Sequence, residues 1–107
     1  MTFQTLSGEE WDLILRCLKA ATEGPFFPEW EFPILFGLTR EEVRSVWSSS
    51  TGLDTQDETV RLAINNSFAN LLGYPHGERE AWDRLISAPR GEVVRIFGKW
   101  REHDGRT

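Results

Sequence analysis

Cysteine occurs once in this chain and histidine twice, and each scarcity closes off a class of chemistry. Cys17 alone cannot form an internal disulfide, which points to a reducing compartment, and its place inside a helical segment makes it a small apolar filler. His76 and His103 stand 27 positions apart with Cys17 as their one thiol companion. No metal-ligand spacing results, and no cofactor is expected. No stretch approaches the roughly 20 apolar residues of a membrane span, and the polar start Met1-Thr-Phe-Gln-Thr lacks the basic and apolar regions of a signal peptide. A cytoplasmic setting is therefore expected. A nucleophile elbow is missing as well. Gly73-Tyr-Pro-His-Gly77 holds two glycines, but without a preceding strand or a Lys-Ser/Thr pair it reads as a turn, not a phosphate loop. The chain reads as non-enzymatic.

Positive charge is also in short supply. The net charge is −5, and it is unevenly spread: residues 1–58 hold eleven acidic and four basic side chains, giving −7, whereas residues 59–107 hold six and eight, giving +2. Nucleic-acid affinity comes mainly from neutralising phosphates, so the acidic half argues against it and suits a basic partner. The opposed halves would permit self-association; the oligomeric state stays open.

What the chain does have is aromatic mass. Five Trp and seven Phe among 107 residues are too many for a disordered chain, and that length forms one domain over residues 1–107 with a core of its own. Leu6-Ser7-Gly8-Glu9-Glu10-Trp11 reads as a capping box on Ser7 and Glu10 with Leu6 stapled to Trp11. Behind it Trp11, Ile14, Leu15 and Leu18 repeat at helical spacing until Gly24-Pro25. The same box recurs at Thr39 and Glu42, with Val43, Val46 and Trp47 continuing the apolar face to a stop in Ser48 to Gly52. A third start lies at Thr55-Gln56-Asp57-Glu58, and its helix carries Val60, Ala63, Ile64, Phe68 and Leu71 to Gly73. Ala81, Trp82, Leu85 and Ile86 mark a short helix. Pro89 opens another, with Val93, Ile96, Phe97 and Trp100 as its stripe, and the polar tail from Glu102 is expected to fray. No segment alternates as a strand would, and the best candidate, Trp30 to Phe36, contains Pro33. The fold expected is all-α: a compact bundle of four to five short helices, with a Pro/aromatic-rich loop after the first.

That loop, "GPFFPEWEFPILF", packs five aromatic residues and three prolines around two glutamates. Leaving five large apolar side chains in water would forfeit on the order of 10 kcal/mol, comparable to the whole stability of a domain at about 5–15 kcal/mol. Most of Phe26, Phe27, Trp30, Phe32 and Phe36 are therefore expected inside. Prolines favour an extended path, on which Trp30 and Phe32 would point one way and Glu29 and Glu31 the other. Glu29 and Glu31 would then join Glu41, Glu42, Asp54, Asp57 and Glu58 in an acidic face, although first-turn carboxylates also have a local explanation in the helix dipole. The partner-binding set read from this pattern is Glu29, Trp30, Glu31, Glu41, Asp54 and Asp57. Asn66 and Asn70, four apart on one helical face, read as a polar face with internal hydrogen bonds, the alternative being amides offered to a partner.

Residues 69–82 have the Ala-x-x-x-Gly spacing and following helix of a helix-turn-helix, with Arg79, Arg84, Arg90, Arg95, Lys99 and Arg101 at or beyond it. Pro75 in the turn and Glu78 and Glu80 at the start of the second helix oppose close approach to DNA.

The strings "FFPEWEFPILFGLTREEV" and "AINNSFANLLGYPHG" resemble small bacterial proteins of unassigned role, and a small acidic helical domain is similar in kind to immunity proteins that neutralise toxic enzymes. That likeness covers most of residues 25–77 and implies carboxylates clustered against a basic enzyme, where opposed charge speeds encounter and excludes wrong partners. The expected function is thus a non-enzymatic protein-binding domain facing a basic protein, such as a toxin, with a DNA-binding regulator as the alternative.

Overall fold

The computed structural model describes residues 6–48 and 56–104. Six helices and no strand occur among them: α1 (Gly8–Glu23), α2 (Phe32–Phe36), α3 (Arg40–Ser48), α4 (Glu58–Gly73), α5 (Arg79–Leu85) and α6 (Arg90–Asp104). The all-α expectation holds, but the count of four to five is corrected to six. The added helix is α2, inside the stretch expected to be an extended loop. The last helix runs through Asp104, past the point where the tail was expected to fray.

The helix starts follow local chemistry. The Ser7 amide donates to Glu10 Oε1 at 2.8 Å while the Glu10 amide donates to Ser7 Oγ at 3.2 Å, so the capping box before α1 forms in full. Thr39 and Glu42 repeat it before α3, at 2.8 and 3.1 Å. Asp57 caps α4 by accepting from the amides of Thr59 and Val60. Thr55 and the stretch from Ser49 to Gly52 lie outside the described residues.

Helices α1 and α4 form the centre, each packing on the other, on α3 and on α6; α1 also meets α5 and α4 also meets α2. Their shared core holds Ile14, Leu18, Ile64, Phe68, Leu71, Ile86, Val93 and Trp100, all at most 1% exposed. Cys17 is among them; burial pushes its thiol up to about 12, so it stays protonated and inert, as expected of an apolar filler. Leu15, placed on the apolar face by spacing, is instead 38% exposed, while Leu13 takes the buried position. The radius of gyration is 13.0 Å, matching the roughly 13 Å of a compact chain this long.

One ionic contact closes the first and last helices. Lys99 Nζ lies 2.8 and 2.9 Å from the two Glu10 oxygens, and Arg95 reaches the same carboxylate at 3.2 Å. The Lys99 hydrogen bond, the Ser7 amide and Arg95 together lower the Glu10 carboxyl to about 2. At the far end of α1, Gly24 is required by space and not by its backbone angles, with φ at −89°. A Cβ there would stand 2.7 Å from the Ala20 oxygen and the Phe26 ring, and 2.8 Å from a Leu85 methyl.

Candidate functional site

The segment after Gly24 turns where an extended path was expected. The amides of Glu31 and Phe32 both donate to the Pro28 oxygen at 3.1 Å, and Glu31 has right-handed helical angles. This changes which residues share a face. On a strand, positions two apart point the same way; on a helix they stand about 200° apart, nearly opposite. Phe32 and Phe36 accordingly turn inward at 0% exposure, and Trp30 and Ile34 turn outward, each 72% exposed. The expectation that Trp30 is buried is thus corrected, while Phe26 and Phe27 are inside as expected.

Behind this outward pair is a dense aromatic floor. Phe32 and Phe36 stack at 4.1 Å, and Phe27 meets Phe36 and Tyr74 edge-on at 5.3 and 5.5 Å. The Arg40 guanidinium covers the Phe32 ring at 4.4 Å. It also donates to the carbonyls of Thr22 and Phe27 and to Glu29 Oε1, tying the end of α1 to the turn.

Five residues are too few to hold a helix in water unaided, and α2 is pinned by side chains from α4. Asn66 Nδ2 donates to the Phe36 oxygen at 2.7 Å, and Asn70 Nδ2 donates to the Leu35 oxygen at 3.1 Å and to the Asn66 oxygen at 2.9 Å. Tyr74 donates its hydroxyl to Glu31 Oε1 at 2.8 Å. The pairs 36–66, 35–70 and 31–74 show α2 running antiparallel along the C-terminal half of α4. The asparagines are spent internally, as their polar-face reading expected. Gly37, with φ at 68°, ends α2 in the left-handed conformation that favours glycine.

The sequence-derived set is only partly brought together. Glu29, Trp30 and Glu31 stand side by side, and Glu41 starts the helix of Arg40, which holds Glu29. Each carboxylate already has a partner: Glu29 has Arg40, Glu31 has Tyr74, and Glu41 has Arg44, which also bonds Glu23 at 3.0 Å. Arg44 is held above its ordinary value first by Glu23 and then by Glu41. Asp57 is an N-cap at the start of α4, about 24 Å along a 16-residue helix from its Tyr74 end. It does not share a patch with Glu31. Asp54 lies outside the described residues. Sequence reading missed Ile34, whose exposure follows only from the helical turn, and Arg40 and Tyr74, whose partners are 11 to 43 positions away.

Beside Tyr74 opens a groove of about 630 Å³ between the α4–α5 loop and the start of α6. His76 lines it without being free to act as a base. Its Nδ1 accepts from the Glu78 amide at 3.1 Å, so Nε2 carries the proton and donates to the Leu71 oxygen at 3.0 Å. The basic residues of the second half are largely spent or offset. Arg95 and Lys99 are on Glu10, Arg90 donates to the Leu72 oxygen, and the exposed face of α5 alternates Arg79 and Arg84 with Glu80 and Asp83. No group of three or more metal-binding side chains occurs among the described residues, nor is any helix long and apolar enough to cross a membrane. No protein-family model matches this chain, and neither a curated protein nor a solved structure does.

Proposed function

We propose that this chain is a non-enzymatic protein-binding domain that docks through the turn and helix spanning Glu29 to Ile34 onto a basic protein surface. The observation that carries this reading is the paired exposure of Trp30 and Ile34, 72% each, on a turn and the short helix that follows it, held from behind by Asn66, Asn70, Tyr74 and Arg40. Burying either side chain would be worth roughly 1.5–3 kcal/mol. Turning both outward forgoes that gain within the chain and leaves it available on contact. Interface hot spots are rich in such aromatic anchors, and an anchor fixed before contact loses little entropy on binding.

The carboxylates then serve encounter. Glu29 is 84% exposed at its side chain, and with Glu31 it borders Trp30 in a half of the chain that carries −7. Opposed charge of this kind speeds association and rejects acidic partners. Immunity proteins against basic toxic enzymes, working in the cytoplasm, are the class this arrangement suits. A DNA-binding regulator is a second reading, favoured by Arg79 and Arg84, which make no hydrogen bond or ion pair within the described residues. The acids beside them on α5 give it less support.

The test is affinity capture from the source cell at two salt concentrations, followed by calorimetry on the purified pair. A basic protein should bind the natural chain and bind the Trp30→Ala, Ile34→Ser double variant at least tenfold more weakly. Equal affinity for both chains, or capture of DNA alone, would remove the proposal.

A further inference from the structure

The anchor and the groove share one residue. Tyr74 holds Glu31, the neighbour of Trp30, through its hydroxyl, and it also lines the groove of about 630 Å³. That volume is within the roughly 300–1,000 Å³ of sites that enclose ligands. Its lining includes the exposed Pro75 and Pro89 and the buried Trp82. Glu78, Arg79, Asp83 and Arg90 supply both signs of charge. Arg79 and Asp83 stand four apart on α5, an ion-pair spacing, yet neither side chain bonds the other or any other described residue.

We infer that the groove is the second half of the docking surface and takes an extended segment of the partner polypeptide carrying both acidic and basic side chains. This rests on the docking reading above and extends it across Tyr74. Two unspent charges of opposite sign ask for a complement of mixed sign, which a polypeptide supplies. A phosphate chain does not, because it meets Glu78 and Asp83 as like charges.

Photocrosslinking tests this on the whole chain in its source cell. A benzophenone amino acid replaces Ile34, Arg79 or, as an exposed control that does not line the groove, Val94, which is 51% exposed. The chains carrying the probe at Ile34 and at Arg79 should capture the same protein. Both adducts should map to one continuous segment of that protein. The chain carrying it at Val94 should capture none. In direct binding of that purified protein, Arg79→Glu should cost about fivefold in affinity with an unchanged helical spectrum, the scale of an exposed charge contact. Capture at Ile34 without capture at Arg79, or capture at Arg79 of nucleic acid or a different protein, overturns the groove inference and leaves the docking reading standing. No capture at Ile34, or equal capture at Val94, overturns both.

Discussion

The Tyr74 hydroxyl donates to the Glu31 carboxylate at 2.8 Å, joining the end of α4 to the residue beside Trp30. The bond favours the protonated phenol, and with burial as a second cause it raises Tyr74 above the ordinary tyrosine value. A group raised on folding adds stability that is fully present below its unfolded value of about 10 and is lost as pH rises through the folded one. Tyr74 is the only tyrosine. An ultraviolet tyrosinate titration therefore reads it alone: the midpoint should lie above that of free tyrosine and fall back in Glu31→Gln. Identical midpoints in the two proteins would refute the contact.

The outward and inward sides of the segment from Trp30 to Phe36 predict opposite responses to truncation. Trp30→Ala removes an exposed ring and should change stability by no more than about 0.5 kcal/mol. Phe32→Ala empties a fully buried position against Phe36 and Arg40 and should cost about 3–5 kcal/mol. Urea denaturation compares them. Similar losses from both would mean that the face assignment is wrong.

Glu10 sets the acid limit of the contact between α1 and α6. Its carboxyl is lowered to about 2, so the stability it contributes is present above the ordinary carboxylate range and is lost as pH falls from about 4.5 toward about 2. Glu10→Gln should be less stable at neutral pH and should show a flatter decline across that window. An acid limb as steep as that of the natural chain, in denaturant titrations at stepped pH, would contradict the assignment.

The same substitution at two glycines should have opposite signs. Gly24→Ala forces a Cβ to within 2.7 Å of the Ala20 carbonyl and the Phe26 ring, and overpacking of this kind costs about 1–3 kcal/mol. Gly98 lies inside α6 with nothing within 4 Å of its would-be Cβ. Gly98→Ala should raise stability by about 1 kcal/mol, the difference in helix propensity. Thermal unfolding of both variants checks the signs together.

Much of the fold was legible along the chain because its signals are local. The boxes at Ser7 and Thr39, the cap at Asp57 and the apolar spacing of α1, α3 and α4 each act within a few residues. The weight of apolar surface in residues 26–36 required most of those rings to be buried, and the four phenylalanines are. The loop carboxylates were equally readable as a candidate edge, although their partners were not.

The sequence by itself determined an all-helical chain with buried phenylalanines and an acidic first half, because capping, periodicity and charge are short-range properties. Only the tertiary structure decided that Phe32–Phe36 is a helix and that Trp30 faces outward. Five residues with a proline have no helical preference strong enough to stand alone, and the bonds that hold them come from Asn66, Asn70 and Tyr74, at least 30 positions away. Once those bonds impose a helical turn, residues two apart face opposite sides, and that rotation leaves exposed a ring that an extended path would have buried.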